Sequence, residues 1–600
     1  MQQNLKKLEG SSLYFGLALA SFTGLLTGLP VFAQPIIPAN DPTGTLVNQN
    51  GDRIDISGGK LSGDGRNLFH SFSQFGLDAN QTANFLSTPN IHNILGRING
   101  GSPSFINGLL QVLGGQSNLF LLNPYGIVFG SNVQLNIPGS FNASTATGTG
   151  FENNNWFDAF GNNDYHNLIG NPNSFAFSTL QPGAIINLGN LAVSPGQNLT
   201  LLGGTVVSTG QVSAPQGEIF IAAIPGESLV RLSQAGHLLS LDIQPLNSTS
   251  QPLTSLSLPQ LITGGTPNNH ITGLTVTETG EIQLTGSGIR VENGDVVAKN
   301  ANAGITTLAS LNNLTLVESQ ISTTDDLNLL AGNTLRGRDS ANSPLLLQAG
   351  GRLLLQGNQA IDLFAFTHPF SELIAGGDMV LRSANPVGGD THYRTGGNFR
   401  IEQLDGSLGG LFSPYDPVIR ANGDVIFNSY SGNSLHIFAG GSVIINNSIT
   451  ISGADTFAGL NDSVTLSDGT LVFIDGITRA TVDIRAGTTD VNPVGVTGFG
   501  TFNPGVPAPP FPAATSADIV IGSINIDSVA SGQVFLTNRY FPDDNLAGNI
   551  QVGSINVSPI FSGDGGEVTM DSKGSIIISG TIDTSALLGS GGAITLLAQN

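Results

Sequence analysis

The 600-residue sequence lacks cysteine, contains a single tryptophan and is poor in charged residues, which make up 10% of the chain. Its 20 Lys and Arg are outnumbered by 42 Asp and Glu, so the formal net charge is -22. Nucleic acids and anionic membrane surfaces are bound mainly through Lys and Arg. The composition therefore argues against both as partners.

Residues 1–33 have the three-part layout of a signal peptide. Lys6 and Lys7 precede an apolar segment, which is followed by the small-x-small sequence VFA. This pattern predicts cleavage between Ala33 and Gln34. The alternative is an uncleaved membrane anchor, which the Gly, Ser and Thr residues inside the apolar segment disfavour. An exported chain enters the oxidising periplasm, where disulfides form and persist. A disulfide loop would obstruct passage through a narrow membrane pore, so the lack of cysteine fits export in an unfolded state.

After the signal, short apolar runs alternate with Gly, Asn, Asp or Ser. The chain has 80 Gly and 39% hydrophobic residues, so it has apolar surface to bury and is not disordered by composition. Short runs with period-two alternation predict β-strands almost throughout. No segment after the signal is long and apolar enough to span a bilayer, so we expect a protein that is not integral to a membrane.

Beyond residue 300, a Gly repeatedly precedes a strand-like run, at steps of 19, 26, 20, 26 and 18 residues. These glycines are Gly332, Gly351, Gly377, Gly397, Gly423 and Gly441. The similar segments IGSINIDS, VGSINVSP and KGSIIISG begin at positions 521, 552 and 573. Imperfect repeats of roughly 20 to 30 residues indicate a solenoid, since a β-propeller blade needs about 40 to 50. The predicted fold class is all-β, a parallel β-helix in which each coil stacks on its neighbours.

Two segments interrupt this pattern. Residues 152–164 (ENNNWFDAFGNND) are polar, and we expect them to leave the helix, with Trp156 packing back against it. A Pro-rich loop near 502–514 carries five prolines between Pro504 and Pro512. Proline cannot donate a ladder hydrogen bond, so this loop is predicted to be external or to join two helix segments.

The most specific stretch is LFLLNPYGIVFG at 119–130, in which a turn separates two apolar strands. Asn123 and Pro124 suit the first two positions of a type I turn, and Gly126 suits the last. Such a turn alone is common. It becomes informative through the segments around it.

Three segments accompany the turn: NLFHSFSQF at 67–75, TANFLSTPNIHNILGRINGGSPSFINGLL at 82–110 and FNAST at 141–145. In this order and spacing they resemble the N-terminal secretion (TPS) domain of the filamentous haemagglutinin family, the exoproteins of two-partner secretion systems. The resemblance covers about residues 35–290.

This resemblance implies a right-handed parallel β-helix whose TPS domain, 34–290, is continuous with irregular β-helix repeats at 291–600. It also implies recognition by the POTRA modules of a cognate outer-membrane β-barrel, and export through that barrel from a Gram-negative cell. The secretion motif carried over comprises Asn123, Pro124, Tyr125, Gly126 and Gly130, with Tyr125 where the family commonly has Asn. The family-like segment comprises Asn67, Phe69, His70, Phe72, Gly96, Arg97 and Gly100. For His70 we expect a structural role at a strand end.

The later repeats resemble the stalks of haemagglutinin-like adhesins, which display a long surface and need no active site. We therefore expect an adhesin-like exoprotein, secreted or held at the cell surface, that binds a receptor on another surface. The alternatives are a β-helical carbohydrate-active enzyme and a stalk that delivers a C-terminal toxin. The last strand lacks the polar cap that solenoid ends need, so the natural chain is expected to continue past residue 600.

The sequence offers little catalytic chemistry. Its eight histidines form no HExxH motif or other set of zinc ligands, and no GxSxG sequence suggests a hydrolase elbow. The carboxylate pairs that glycoside cleavage needs are close only in sequence. These pairs are Asp325 with Asp326, Glu402 with Asp405, and Asp543 with Asp544. We expect no enzyme activity, no catalytic residues and no cofactor; weak Ca²⁺ binding at Gly-Asp turns such as GDGGEVTMD (563–571) is the alternative.

Overall fold

The computed structural model describes residues 35–231, 274–491 and 514–599, apart from positions 278, 280, 286, 458, 529, 530, 561, 562 and 587. Ala33–Asn600 forms one compact unit. The predicted cleavage site at Ala33 and Gln34 lies outside the described residues, as does nearly all of the Pro-rich loop. In the described part of the chain, no helix has the length and apolar character that a membrane crossing would need.

The regular structure of the described residues is almost entirely β-strand, and the exceptions are two 3-10 turns at Glu152–Asn154 and Tyr165–Asn167. Residues 35–231 contain β1 (Ile37–Pro38), β2 (Thr45–Asn50), β3 (Arg53–Gly58), β4 (Lys60–Leu61), β5 (Asn67–Gln74), β6 (Thr82–Leu86), β7 (Asn93–Ile98), β8 (Ser104–Ile106), β9 (Leu109–Leu113), β10 (Asn118–Leu122), β11 (Ile127–Phe129), β12 (Gln134–Asn136), β13 (Phe141–Ser144), β14 (Gly148–Gly150), β15 (Trp156–Asp158), β16 (Ser174–Phe177), β17 (Ile185–Asn187), β18 (Asn190–Ala192), β19 (Leu199–Gly203), β20 (Val206–Ala223) and β21 (Ser228–Arg231).

The strands of residues 274–491 are β22 (Leu274–Val276), β23 (Ile282–Leu284), β24 (Val296–Ser310), β25 (Leu314–Val317), β26 (Gln320–Thr323), β27 (Leu327–Ala331), β28 (Thr334–Arg338), β29 (Leu346–Ala349), β30 (Leu353–Gly357), β31 (Ala360–Phe364), β32 (Glu372–Ala375), β33 (Met379–Ser383), β34 (Val387–Asp390), β35 (Tyr393–Thr395), β36 (Phe399–Glu402), β37 (Gly410–Ser413), β38 (Val418–Ala421), β39 (Val425–Phe427), β40 (Ser429–Gly432), β41 (Leu435–Ala439), β42 (Val443–Ile451), β43 (Asn461–Thr465), β44 (Leu471–Asp475) and β45 (Thr481–Arg485). Those of residues 514–599 are β46 (Ile519–Ile526), β47 (Gln533–Thr537), β48 (Ile550–Asn556), β49 (Glu567–Ser572), β50 (Ile576–Ile578), β51 (Ile582–Asp583) and β52 (Ile594–Ala598).

The later strands form three parallel ladders, and each coil adds one strand to every ladder. The first ladder runs through β25, β28, β31, β34, β37, β40 and the end of β42. The second runs through β26, β29, β32, β35, β38, β41, β45, β47, β49 and β52. The third runs through β27, β30, β33, β36, β39 and the start of β42. This arrangement is a parallel β-helix, which confirms the predicted all-β fold class.

The same three ladders are present in the N-terminal coils. The third ladder begins with β5, β7, β10, β13 and β19, and the first contains β8, β11 and β17. The second ladder begins there with β18, which pairs with β20, while β3, β6, β9 and β12 form a separate parallel sheet. The long strands β20 and β24 pair with each other in parallel along all three faces. The N-terminal region is therefore continuous with the later repeats, as predicted.

Inward side chains of successive coils stack into one apolar core. Along the third ladder, one such row consists of Leu327, Leu353, Met379, Phe399, Val425 and Val443, all fully buried. Burying one such side chain stabilises the fold by about 1.5–3 kcal/mol relative to leaving it exposed. The core grows with each coil, because every coil covers the inward residues of the coil before it.

Stacked glycines form one corner of the helix. The backbone N–H of Gly397 donates to the carbonyl of Gly377 (3.0 Å), and that of Gly423 donates to Gly397 (2.9 Å). A Cβ at Gly397 would lie 2.4 Å from Oδ1 of Asp378, so the corner has no room for a side chain. The predicted repeat is confirmed from Gly351 onward.

The first predicted step of 19 residues was wrong. Gly332 precedes β28 in the first ladder, whereas Gly351 precedes β30 in the third, so the two glycines belong to different corners. The register aligns Leu327 with Leu353, which makes this coil 26 residues long. Corner glycines look alike in sequence whichever ladder they precede.

Three excursions leave the helix and cover its outer faces. The antiparallel sheet β15-β14-β16-β21 packs on the third ladder, and the β22–β23 hairpin packs on the first. The β43–β44 hairpin lies against the second ladder. The predicted departure at 152–164 is confirmed, but half-buried Trp156 packs over Gly150 of the excursion's own sheet.

Candidate functional site

Asn123 closes the predicted turn between β10 and β11. Its side chain is buried, and its Oδ1 accepts a hydrogen bond from the backbone N–H of Tyr125 (3.0 Å). The N–H of Gly126 donates to the Asn123 carbonyl (3.1 Å), the hydrogen bond between first and fourth residues that is common in β-turns. The Nδ2 of Asn123 donates to the carbonyl of Ser102 and to Oγ of Ser104, both at 3.0 Å. The amide therefore joins the turn to the preceding coil.

The turn is also fixed to the coil after it. The carbonyl of Pro124 accepts a hydrogen bond from the N–H of Gly183 (3.1 Å). A Cβ at Gly183 would lie 2.6 Å from the Gly126 nitrogen, so the two segments are in close contact. Gly126 has a φ of +122°, a conformation that favours glycine. Both neighbouring coils thus determine the shape of this corner.

Tyr125 stands where the resemblance predicts Asn, and it forms an aromatic contact. Its half-buried ring meets Phe160 of the excursion edge to face, at a centroid distance of 5.9 Å. Burial raises the pKa of the Tyr125 hydroxyl. Gly130 lies at the far end of β11, and its N–H donates to the Ile106 carbonyl (2.8 Å). The motif residues therefore lie in the turn before β11 and at the end of β11, and Tyr125 contacts the excursion.

Arg97 is the best-connected residue of the family-like segment. Only 2% of its side chain is exposed, and its Nη2 forms an ion pair with Asp41 at 2.9 Å. Its Nη1 donates to the carbonyls of Asp158 and Gly161, both at 2.9 Å. Its Nε donates to Oγ of Ser71 at 3.0 Å. One guanidinium thus joins the N-terminal segment, the third ladder and the excursion.

Burial raises the pKa of Asp41, but hydrogen bonds from Ser71, Thr43 and Arg97 outweigh this and hold the pKa below its ordinary value. The carboxylate therefore stays charged opposite Arg97. No local sequence pattern marks this pair, because 56 residues separate the two side chains.

Asn67 begins a column of amides at the corner before the third ladder. Its Oδ1 accepts from Nδ2 of Asn93 (2.8 Å), whose own Oδ1 accepts from Nδ2 of Asn118 (2.9 Å). The Nδ2 of Asn67 donates to the carbonyls of Leu168 and Gly170, both at 2.9 Å. Like Arg97, this column connects the coils to the excursion. Asn93 and Asn118 were not among the predicted site residues.

Phe69 and Phe72 point to opposite sides of β5. Phe69 faces outward and packs against Phe157 and Tyr165 of the excursion, with centroids 4.9 and 5.3 Å away. Phe72 faces inward and packs in the core against Phe85. Both faces of this strand are buried from Asn67 to Phe72, so its polar residues Asn67, His70 and Ser71 are buried together with its apolar ones.

Two glycines of this segment make room for their neighbours. A Cβ at Gly96 would lie 3.2 Å from the Phe72 ring, and a Cβ at Gly100 would lie 1.9 Å from the Ser73 carbonyl oxygen. Gly96 is also the register partner of His70. These positions serve packing between coils.

His70 is fully buried and faces the core between Phe72 and Phe85, with ring centroids 6.2 and 6.0 Å away. Neither ring nitrogen has a hydrogen-bond partner. Burial lowers the pKa of His70 to about 4, so the ring is neutral at neutral pH. It lies within β5 and not at the strand end that we predicted.

An acidic cluster with a histidine lies beneath the β43–β44 hairpin. His436 Nδ1 is 2.8 Å from Oδ2 of Asp416, and Arg485 forms an ion pair with Asp483 at 2.8 Å. These four side chains are fully buried. The cluster is bonded to the hairpin, because Arg485 also forms an ion pair with Asp462 of β43 at 2.7 Å. The cluster was not predicted.

The acidic pairs considered as catalytic candidates have structural contacts instead. Glu402 forms ion pairs with Arg382 (2.9 Å) and Arg400, while the neighbouring Asp405 caps an exposed turn at Ser407. Oδ1 of Asp326 accepts a hydrogen bond from the N–H of Arg352 (2.8 Å), across one corner. Among the described residues, no group of three or more His, Asp or Glu side chains is arranged to hold a metal ion.

Comparison with known proteins identifies the N-terminal region. The family model of the TPS secretion domain matches residues 34–284. One similar solved structure is the crystal structure of the HMW1 secretion domain from Haemophilus influenzae, with 15% identity, a TM-score of 0.34 and coverage of 71% of this chain and 95% of that chain. Another is the crystal structure of filamentous hemagglutinin secretion domain, with 15% identity, a TM-score of 0.29 and coverage of 68% and 100%. A search of curated proteins gives no match. Residues 34–284 of this chain therefore form a TPS secretion domain.

Proposed function

We propose that this protein is an adhesin-like exoprotein of a Gram-negative cell, exported across the outer membrane by a cognate POTRA-bearing β-barrel. The observation that carries this proposal is the TPS secretion domain at residues 34–284. The product is secreted or held at the cell surface, where the β-helix presents its outer faces to a receptor.

The coil-by-coil architecture supports export of an unfolded chain. Each coil pairs with the coil before it, so folding can proceed one coil at a time as the chain emerges outside. A folded coil resists return through the barrel. No disulfide must be opened for passage, because the sequence has no cysteine.

An adhesive role is favoured over an enzymatic one by the contacts of the acidic residues. The His436 cluster is sealed beneath a hairpin, and Glu402 is neutralised by two arginines. Neither leaves a free pair of carboxylates facing a groove, which glycoside cleavage requires.

Export is tested by producing the chain in a Gram-negative host with and without the cognate barrel. We expect the mature chain in the medium or on the cell surface only when the barrel is present. Barrel-independent appearance, or complete retention in the periplasm when the barrel is present, would contradict the proposed export route.

The role of the turn is tested with the double variant Asn123→Ala, Pro124→Ala. Its matched control is Asn385→Ala, Pro386→Ala, because Asn385-Pro386 is an exposed Asn-Pro pair outside the TPS domain. We expect the first variant to lower the exported fraction and the control to leave it unchanged. Equal export of both variants would show that the Asn123 turn has no special role in secretion.

Adhesion is tested separately with purified mature chain. We expect saturable binding to cells or extracellular material and no turnover in a glycan-cleavage screen. Turnover that is abolished by an acidic-pair variant such as Glu402→Gln, Asp405→Asn would favour the enzyme instead.

A further inference from the structure

His70 is an exception in a row of apolar residues. Its register partners along the inward row of the third ladder are Gly96, Leu121, Ala143, Leu201 and Ile221. Every other member is glycine or an aliphatic residue, so the β-helix itself does not require a polar side chain at this position. The imidazole is fully buried, and the aromatic side chains packed on it are Phe72 and Phe85.

The buried ring destabilises the coil that contains it. A neutral imidazole has one N–H donor and one acceptor nitrogen, and both bind water when the chain is unfolded. In the folded chain neither nitrogen has a hydrogen-bond partner in the protein, so no protein group replaces the hydration that burial disrupts. An aliphatic side chain of similar volume would avoid that loss and add apolar contacts.

The location of His70 gives this loss a consequence for folding. β5 is the first strand of the third ladder, and β7, β10, β13 and β19 follow it there coil by coil. Residues in the strand that starts a ladder affect whether a stable first coil forms at all. Folding of the secretion domain that starts from this N-terminal coil is therefore slowed by a weak first coil.

We propose that His70 acts as a folding brake, which keeps the secretion domain unfolded until the chain has passed through the outer membrane. This inference rests on the proposed export through a barrel. His70 would thus act in transport through its effect on folding, and not by contacting a ligand or receptor.

The test uses the full mature chain with His70→Leu, and His92→Leu as the matched control. His92 is exposed and lies close to the next strand of the same ladder, so the control makes the same chemical change on the surface. In the purified His70→Leu protein, amide hydrogen exchange across Asn67–Gln74 should slow about tenfold or more, because local opening becomes less favourable. With the barrel present, the exported fraction should fall, and a protease-resistant form should accumulate in the periplasm.

The results separate the brake from the proposed function. Slower exchange with unchanged export would overturn the brake, while barrel-dependent export of the wild-type chain would still stand. Exchange that does not slow would also overturn it, since the ring would then not be destabilising. His70→Met, a more flexible side chain of similar size, provides a second variant. If neither apolar variant folds, the site requires the imidazole and the brake is wrong; if the wild-type chain is not exported by the barrel, the proposed function itself fails.

Discussion

Replacing Arg97 with methionine should release the excursion and the N-terminal segment from the third ladder. Methionine keeps an unbranched apolar stem but removes the guanidinium. The change removes four hydrogen bonds of 2.9 to 3.0 Å and leaves the Asp41 carboxylate, whose side chain is only 17% exposed, without its ion-pair partner. Removing one partner of a buried ion pair destabilises by about 3–5 kcal/mol. We expect a loss of this size in the local opening free energy.

Hydrogen exchange of the full chain is the suitable assay, because distant coils of a solenoid open independently and a single melting temperature would average them. Protection should fall at Ala39, whose N–H donates to the Ser71 carbonyl (2.9 Å), and in Trp156–Asp158. It should remain unchanged in distant coils such as Leu353–Gly357. The control is Arg53→Met: Arg53 also pairs with an aspartate at 2.8 Å, but its side chain is 61% exposed, so no measurable change is expected.

If Arg97→Met lowered the local opening free energy no more than Arg53→Met does, the reasoning would be refuted. The buried guanidinium would then contribute no more than an exposed ion pair. A double-mutant cycle with Asp41→Asn separates the ion pair from the carbonyl contacts. If the two substitutions were additive, Arg97 would act through the excursion carbonyls alone.

Three further predictions follow from single positions. Gly397→Ala should destabilise its corner by about 1–3 kcal/mol in a hydrogen-exchange measurement, because the added Cβ would lie 2.4 Å from Oδ1 of Asp378. Gly226→Ala is the control and should not change exchange, because the space around Gly226 is open. Burial lowers the pKa of His436, but the charges of Asp416 and Asp483 outweigh this and raise it, so its stabilisation of the β43–β44 hairpin is fully present below about pH 6.5 and is lost as the pH rises through the folded-state pKa. Hairpin exchange, corrected for its intrinsic pH dependence, should show this loss in the wild type and not in His436→Gln. For His70 the sign is opposite, because its pKa falls from 6.5 to about 4 on folding. The unfolded chain therefore binds the extra proton, and the free energy of unfolding drops by about 3 kcal/mol between pH 6.5 and 4. His70→Leu should abolish this contribution in an acid-unfolding titration.

The sequence allows the β-helix to be predicted because the fold is repeated locally. Alternating apolar residues define the strands, and glycines define corners in which a Cβ would meet the previous coil, as at Gly397. The polar composition of 152–164 likewise predicts an excursion without any knowledge of its partner. These features depend on residues that are close in sequence.

Contacts between coils could not be predicted in the same way. Asn67, Asn93 and Asn118 form a column only because two coils of similar length separate them, and corner lengths vary along the chain. Because one coil has 26 residues and another has 20, the sequence spacing does not tell which side chains stack. For the same reason the 19-residue spacing between Gly332 and Gly351 was read as one coil. Arg97 reaches the excursion across 61 and 64 residues, and nothing local marks those carbonyls.

The burial of the family-like residues bears on how a transporter would recognise them. Asn67, Phe69, His70, Phe72, Gly96 and Arg97 are all buried in the folded chain, as are Asn123, Pro124 and Gly126. A partner that contacts these side chains must therefore meet them before the coils close, while the chain is still unfolded. Such a partner and the folded core compete for the same residues, so anything that delays closure of the first coil lengthens the time in which the partner can bind. In the proposed role of His70, its buried imidazole has this effect. Residues that pack and hydrogen-bond inside the folded domain are then available to the partner while the chain is unfolded.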